Sequence, residues 1–141
     1  MVPMDLERFV QAQARTYAGA LAELRAGRKT SHWMWWVFPQ VAGLGQTPTS
    51  QTYAIADLDE ARAYAAHDVL GPRLRTCCRA LLDLEGVSAE HVLGGVDAMK
   101  LRSSMTLFAL ADPSEPVFDE VLDRFFGGER DERTVRLLDH R

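Results

Sequence analysis

Residues 97–111, DAMKLRSSMTLFALA, read as one helix, and that reading sets the fold class. Met105 through Ala111 is almost wholly apolar. A helix that merely packs on a surface keeps its polar residues on one face. Here Lys100, Ser103, Ser104 and Leu107 fall together by steps of three and four at the start of an apolar run. A lysine and two hydroxyls in that position need partners or solvent, because burying them bare is costly. Two uses stay open. They form the solvent face of the helix, or they form a polar cluster that receives an anion or a hydroxyl-rich ligand. A Ser–Lys nucleophile pair is a further use of the same spacing. Asp97 is placed to cap the helix and is also the carboxylate nearest the cluster.

A second stretch breaks the amphipathic pattern. KTSHWMWWVFPQ, residues 29–40, holds all three tryptophans of the chain. Taken as helical from Ser31, an acceptable N-cap, it is apolar nearly all round. It is then either a central core helix or an aromatic wall for a flat ligand ring, with His32 at its mouth. Pockets for small ligands combine such walls with a few polar groups. His32 is the side chain whose ordinary pKa best suits proton transfer near neutrality. Pro39 biases Phe38 towards an extended conformation.

The rest of the chain is helical in period. Leu6, Phe9, Val10, Gln13, Tyr17, Leu21 and Leu24 step by three and four, which predicts one helix of about five turns stopped by Gly27. Gln13 lies on its apolar side and is either a tie to a loop or a ligand contact. Residues 41–56 are rich in Gly, Thr and Ser and read as a loop with a short extended piece at Tyr53–Ala56. Asp57 with Glu60 gives a capping box. Gly71-Pro72 reads as a break, with Pro72 at a first helical position. Ser88 caps a short helix, and Gly86, Gly94 and Gly127 are stops. With no alternating β pattern, the expectation is an all-α, compact orthogonal bundle of about seven helices, one domain over residues 1–141.

Composition narrows the function. The chain has 141 residues, 47% of them hydrophobic, and a formal net charge of −4. A general nucleic-acid binder usually carries a basic surplus. No segment approaches the roughly 20 apolar residues of a membrane span. The opening MVPMDLERFVQAQ lacks the apolar run of a signal peptide, so the expected location is the cytoplasm. The two cysteines, Cys77 and Cys78, are adjacent and read as packing residues. No metal-ligand spacing and no nucleotide glycine motif is present, so neither metal nor cofactor is expected.

Four blocks together resemble a known family. They are FVQAQ; then AL.EL..GRK.SHWMW..FPQ..GLG; then YAI....EA.AY..H..LG.RL; then D..KLRSSMTLF. They are similar to the bacterial domain of unknown function 1810, over roughly Asp5 to Phe125. Members often carry the label calpastatin, which nothing in this sequence supports. Asp68, after His67, and Trp36 depart from the family's usual proline and phenylalanine. The resemblance implies a mostly helical domain and no particular activity. A distant likeness of fold to the NAD/ADP-ribose-associated family, whose members process ADP-ribose conjugates, suggests a ligand class.

The site expected from these readings lies between the two anomalous stretches. Trp33, Trp35 or Trp36 would stack a base or sugar. Arg28, Lys29 or Lys100 would meet phosphate, and Ser103 and Ser104 would bind hydroxyls. Gln40 and Tyr53, at the edges of the intervening loop, complete the substrate-binding set. His32, Lys100 and Asp97 are the catalytic candidates. The favoured reading is a protein that binds a small nucleotide-like ligand. Its enzymatic version is a hydrolase of the N-glycosidic bond in a nucleotide or ADP-ribose derivative, chemistry that calls for a positioned carboxylate. The alternative is a non-catalytic interaction module whose aromatic stretch is core or a partner surface.

Overall fold

The computed structural model describes residues 5–139; the first four residues of the opening stretch MVPMDLERFVQAQ, on which the expectation about a signal peptide partly rests, lie outside them. Among the described residues the chain is all-α, with ten helices where about seven were expected. The extra elements include one from a split helix and one from a single turn inside the segment read as loop. The extended piece at Tyr53–Ala56 survives only as an isolated parallel bridge between Val41 and Ile55.

The split is at the N-terminus. The expected five-turn helix is two helices, α1 (Glu7–Ala14) and α2 (Tyr17–Ala26). Thr16 makes the break. Its hydroxyl donates to the Ala12 carbonyl at 2.7 Å and accepts the Trp36 indole N–H at 2.9 Å. Threonine bonding back to the preceding turn competes with the helix ladder and bends it. Gln13 is buried and ties the break to the aromatic stretch, donating to the Trp36 carbonyl at 2.7 Å and to the Tyr64 hydroxyl at 2.9 Å. Gly27 ends α2 with φ +77°, a conformation that favours glycine.

The aromatic stretch contains only one helical turn, α3 (Met34–Val37), and Ser31 does not cap it. A second short turn, α4 (Pro48–Thr52), is capped by the Thr47 hydroxyl on Ser50 N–H. Asp57 caps α5 (Leu58–Ala66) as expected, accepting Glu60 N–H at 2.9 Å. The break before α6 (Leu70–Leu82) lies earlier than Gly71-Pro72. His67 Nδ1 accepts the Val69 and Leu70 N–H groups, so the helix starts ahead of the proline. Gly71 serves close packing instead: a Cβ there would sit 2.2 Å from the Ala65 carbonyl oxygen.

Ser88 caps α7 (Ala89–Leu93), and Gly94, φ +87°, joins it directly to α8 (Gly95–Ala111). Asp97 therefore lies inside the first turn of α8 and does not cap it. The longest helix, α8, is buried on most sides from Leu101 onward and packs against α5, α7 and α9 (Val117–Phe126). The last helix, α10 (Glu132–Asp139), lies against it and is capped by Asp131, which accepts from Thr134 N–H at 3.0 Å. The central helix of the fold is thus α8, and the aromatic stretch lies to its side. Cys77 and Cys78 are free and buried in the core. Burial pushes the Cys77 thiol up to about 12 and raises that of Cys78 well above its ordinary value, so neither is a poised nucleophile.

Candidate functional site

The path of the aromatic stretch is set by Glu23 on α2. Its carboxylate accepts Thr30 N–H at 2.7 Å, Ser31 N–H at 3.0 Å, the Ser31 hydroxyl, and the Trp33 indole N–H at 3.0 Å. Burial raises its pKa, but these four donors outweigh that effect and hold it at about 2. A further tie runs from Lys29 N–H to the Val92 carbonyl on α7, at 2.8 Å. The N-terminal end of the stretch is thereby fixed against α2 and α7.

Asp97 then links the stretch to α8. Its Oδ2 lies 2.8 Å from Lys29 Nζ and its Oδ1 lies 3.5 Å from Lys100 Nζ. Each lysine also covers a tryptophan. Lys29 Nζ stands 5.1 Å from the Trp33 ring centre, and Lys100 Nζ stands 4.6 Å from that of Trp35. Both distances fall within the range of cation–π attraction. The result is a continuous row, Trp33–Lys29–Asp97–Lys100–Trp35. A carboxylate in the first turn of α8 is also favoured by the helix dipole.

A cavity of about 310 Å³ opens beside the Lys100 end of the row. Trp35 and Gln40 form one wall. The loop Leu44–Thr47, with Ser50, forms the next. The first turns of α8 supply Val96, Met99, Lys100 and Ser103. Asp131 and Arg133, from the start of α10, close the far side. Gly45 keeps the loop tight, because a Cβ there would meet the Ser50 side chain at 2.4–2.5 Å. Two apolar side chains, Val96 and Met99, stand 71% and 72% exposed beside the cavity.

Four of the residues singled out in the sequence meet at this cavity: Trp35, Gln40, Lys100 and Ser103. Asp97 and Lys29 stand behind them through Lys100. The others lie elsewhere. Trp33 is 1% exposed and is core. Trp36 and Tyr53 pack together at 5.2 Å and line a separate concavity of about 670 Å³ against Arg15 and Thr16. Ser104 is fully buried, and its hydroxyl has no hydrogen-bond partner among the described residues. Successive helical residues point about 100° apart, and here that turn carries Ser104 into the core and leaves Ser103 at the cavity. Ser103 lines it while donating to the Met99 carbonyl at 3.1 Å. Arg28 and His32 are exposed and line neither concavity.

The sequence reading did not single out Glu23, Thr47, Ser50, Asp131 or Arg133. Thr47 and Ser50 had a usable signal, two hydroxyls three apart with Pro48 between them at a first helical position. Glu23 and Arg133 had none, because each acts on residues that only the tertiary fold brings near.

Comparison with known proteins agrees with the quoted blocks. A family model described as "Protein of unknown function (DUF1810)" matches residues 3–138. The chain is similar to the conserved hypothetical protein Rv1873 from Mycobacterium tuberculosis, a crystal structure, with 50% sequence identity and a TM-score of 0.96. That match covers 98% of this chain and 99% of the other. A search of curated proteins gives no match. The protein is a member of the DUF1810 family.

Proposed function

We propose that this protein binds a small, anionic, nucleotide-like ligand in the cavity between the 40–50 loop, α8 and α10. One observation carries the reading: Lys100 stands over Trp35 at the wall of a cavity that also holds Arg133 and the hydroxyls of Ser103, Thr47 and Ser50. Such a site offers an aromatic surface, two cations and neutral hydrogen-bonding groups, the usual make-up of a specific small-ligand pocket. Recognition of phosphate by a lysine and an arginine follows from charge and donor geometry.

Binding is better supported than hydrolysis. N-glycosidic cleavage needs a carboxylate at the reacting centre. Asp97 is engaged by two lysines and does not line the cavity. Asp131 does line it, but its Oδ2 accepts both the backbone N–H and the hydroxyl of Thr134. A hydrolytic version of this reading would have to draw on Asp131. The interaction-module reading has its own support in Val96 and Met99, exposed side by side on α8.

A thermal-shift series against NAD, ADP-ribose and mononucleotides, with the parent beside Lys100→Ala, tests the proposal. A ligand at a hundred times its Kd stabilises the native state by about 2.7 kcal/mol, a clear rise in midpoint. The rise is expected in the parent and reduced in the variant. No rise with any of these ligands would refute the reading.

A further inference from the structure

The cavity itself narrows the ligand class, given that the binding reading holds. We infer that the occupant is a compact ring-bearing monophosphate of mononucleotide size, and that its phosphate draws Lys100 off Trp35. Three observations lead there.

The first is size. About 310 Å³ is at the bottom of the roughly 300–1,000 Å³ range of small-molecule sites. That volume suits one ring system with one anionic group and leaves the second half of a dinucleotide outside.

The second is charge. Lys29, Asp97 and Lys100 together carry one net positive charge. Lys29 is the closer partner of Asp97, its side chain is only 9% exposed, and its backbone is tied to Val92. Lys100 is the farther partner, is 23% exposed, and lines the cavity. Lys29 therefore satisfies the carboxylate, and Lys100 is left as the cation free to turn. Arg133 adds a second positive charge and has no ion-pair partner among the described residues. Asp131, the opposing charge, is half-committed to capping α10.

The third is what Lys100 now touches. An ammonium over an indole is held more weakly than one hydrogen-bonded to phosphate. A bound phosphate would recruit Lys100 and uncover the face of Trp35. The ligand ring then takes that face, with Leu44, Val96 and Met99 as the apolar surround. Lys100 is thus the anion-binding residue and also the cover over the face of Trp35.

Calorimetric titration tests this, with AMP, adenosine, inorganic phosphate and NAD as probes on the parent and on Lys100→Met. The variant keeps most of the length of the side chain without its charge, and an unchanged melting midpoint shows that it is folded. AMP is expected to bind the parent, with adenosine and phosphate each at least about tenfold weaker, NAD no tighter, and Lys100→Met losing about tenfold or more for AMP. Adenosine binding as well as AMP, or Lys100→Met binding AMP as well as the parent, would overturn the phosphate assignment. NAD binding tenfold tighter than AMP would overturn the compact class and leave the ligand-binding reading standing. Silence from all four probes, together with a flat thermal-shift series, would bring down both.

Discussion

Trp33 and Trp35 are two residues apart, and each has a lysine over its ring, yet their surroundings differ throughout. Trp33 is buried, its indole N–H is held by Glu23, and its lysine makes the shorter bond to Asp97. Trp35 is half-buried, its indole N–H has no hydrogen-bond partner among the described residues, and its lysine makes the longer bond at a cavity wall. A separation of two places side chains on opposite sides of a single turn. One side of the turn therefore faces the core and the other faces the cavity. The same residue pair is packed into the structure at one end of the row and lines the candidate site at the other. What separates the two uses is whether every polar atom already has a partner.

The comparison breaks first at the rings. Trp33→Ala removes a packed core side chain and is expected to cost about 3–5 kcal/mol of unfolding free energy. Trp35→Ala is expected to cost no more than about 1.5 kcal/mol, since its ring is partly solvated. Urea denaturation of the two variants measures the gap, and equal losses would erase the distinction.

Glu23 comes next. Glu23→Gln keeps the shape but loses the charge that its four donors address, at an expected cost of about 1–2 kcal/mol at neutral pH. The pH dependence carries a sign. The pKa of Glu23 falls from 4.5 to about 2 on folding. The stability it contributes is complete above pH 4.5 and is lost as pH drops towards 2. The parent should lose that increment across this window, and Glu23→Gln should show a shallower decline by circular dichroism.

The smallest difference lies in the lysines. Lys29→Met leaves Asp97 with only its longer, more exposed partner and is expected to cost about 1 kcal/mol. Lys100→Met is expected to change stability by no more than about 0.5 kcal/mol and to show its effect in ligand binding. A larger stability loss at Lys100 than at Lys29 would reverse the assignment of fixed and free cation.

Much of the fold was legible because its signals are local. Asp57 and Ser88 cap their helices through N–H groups three residues away, and Gly27 ends its helix in a left-handed conformation. The split at Thr16 was not legible, because the apolar steps continue from Gln13 to Tyr17 across the break. What makes Thr16 a break is partly the Trp36 indole, 20 residues on. Ser31 looked like a cap, but Glu23 claims its hydroxyl and the N–H groups of Thr30 and Ser31. The site divides in the same way. Lys100 and Ser103 were placed on one face by helical spacing, and Trp35 was within the aromatic stretch. Arg133 and Asp131 reach the cavity only because α10 lies on α8, a contact that no local pattern encodes.

The three indole N–H groups offer the most direct test of a site at Trp35. Two are hydrogen-bonded, Trp33 to Glu23 and Trp36 to Thr16, and the third, Trp35, has no partner among the described residues. A proton–nitrogen correlation spectrum separates them, and AMP is titrated into the parent and into Lys100→Met. The account predicts a saturable shift of the Trp35 signal in the parent, a much weaker one in the variant, and little movement of Trp33 and Trp36. A stationary Trp35 signal, or movement confined to Trp33 or Trp36, would contradict it.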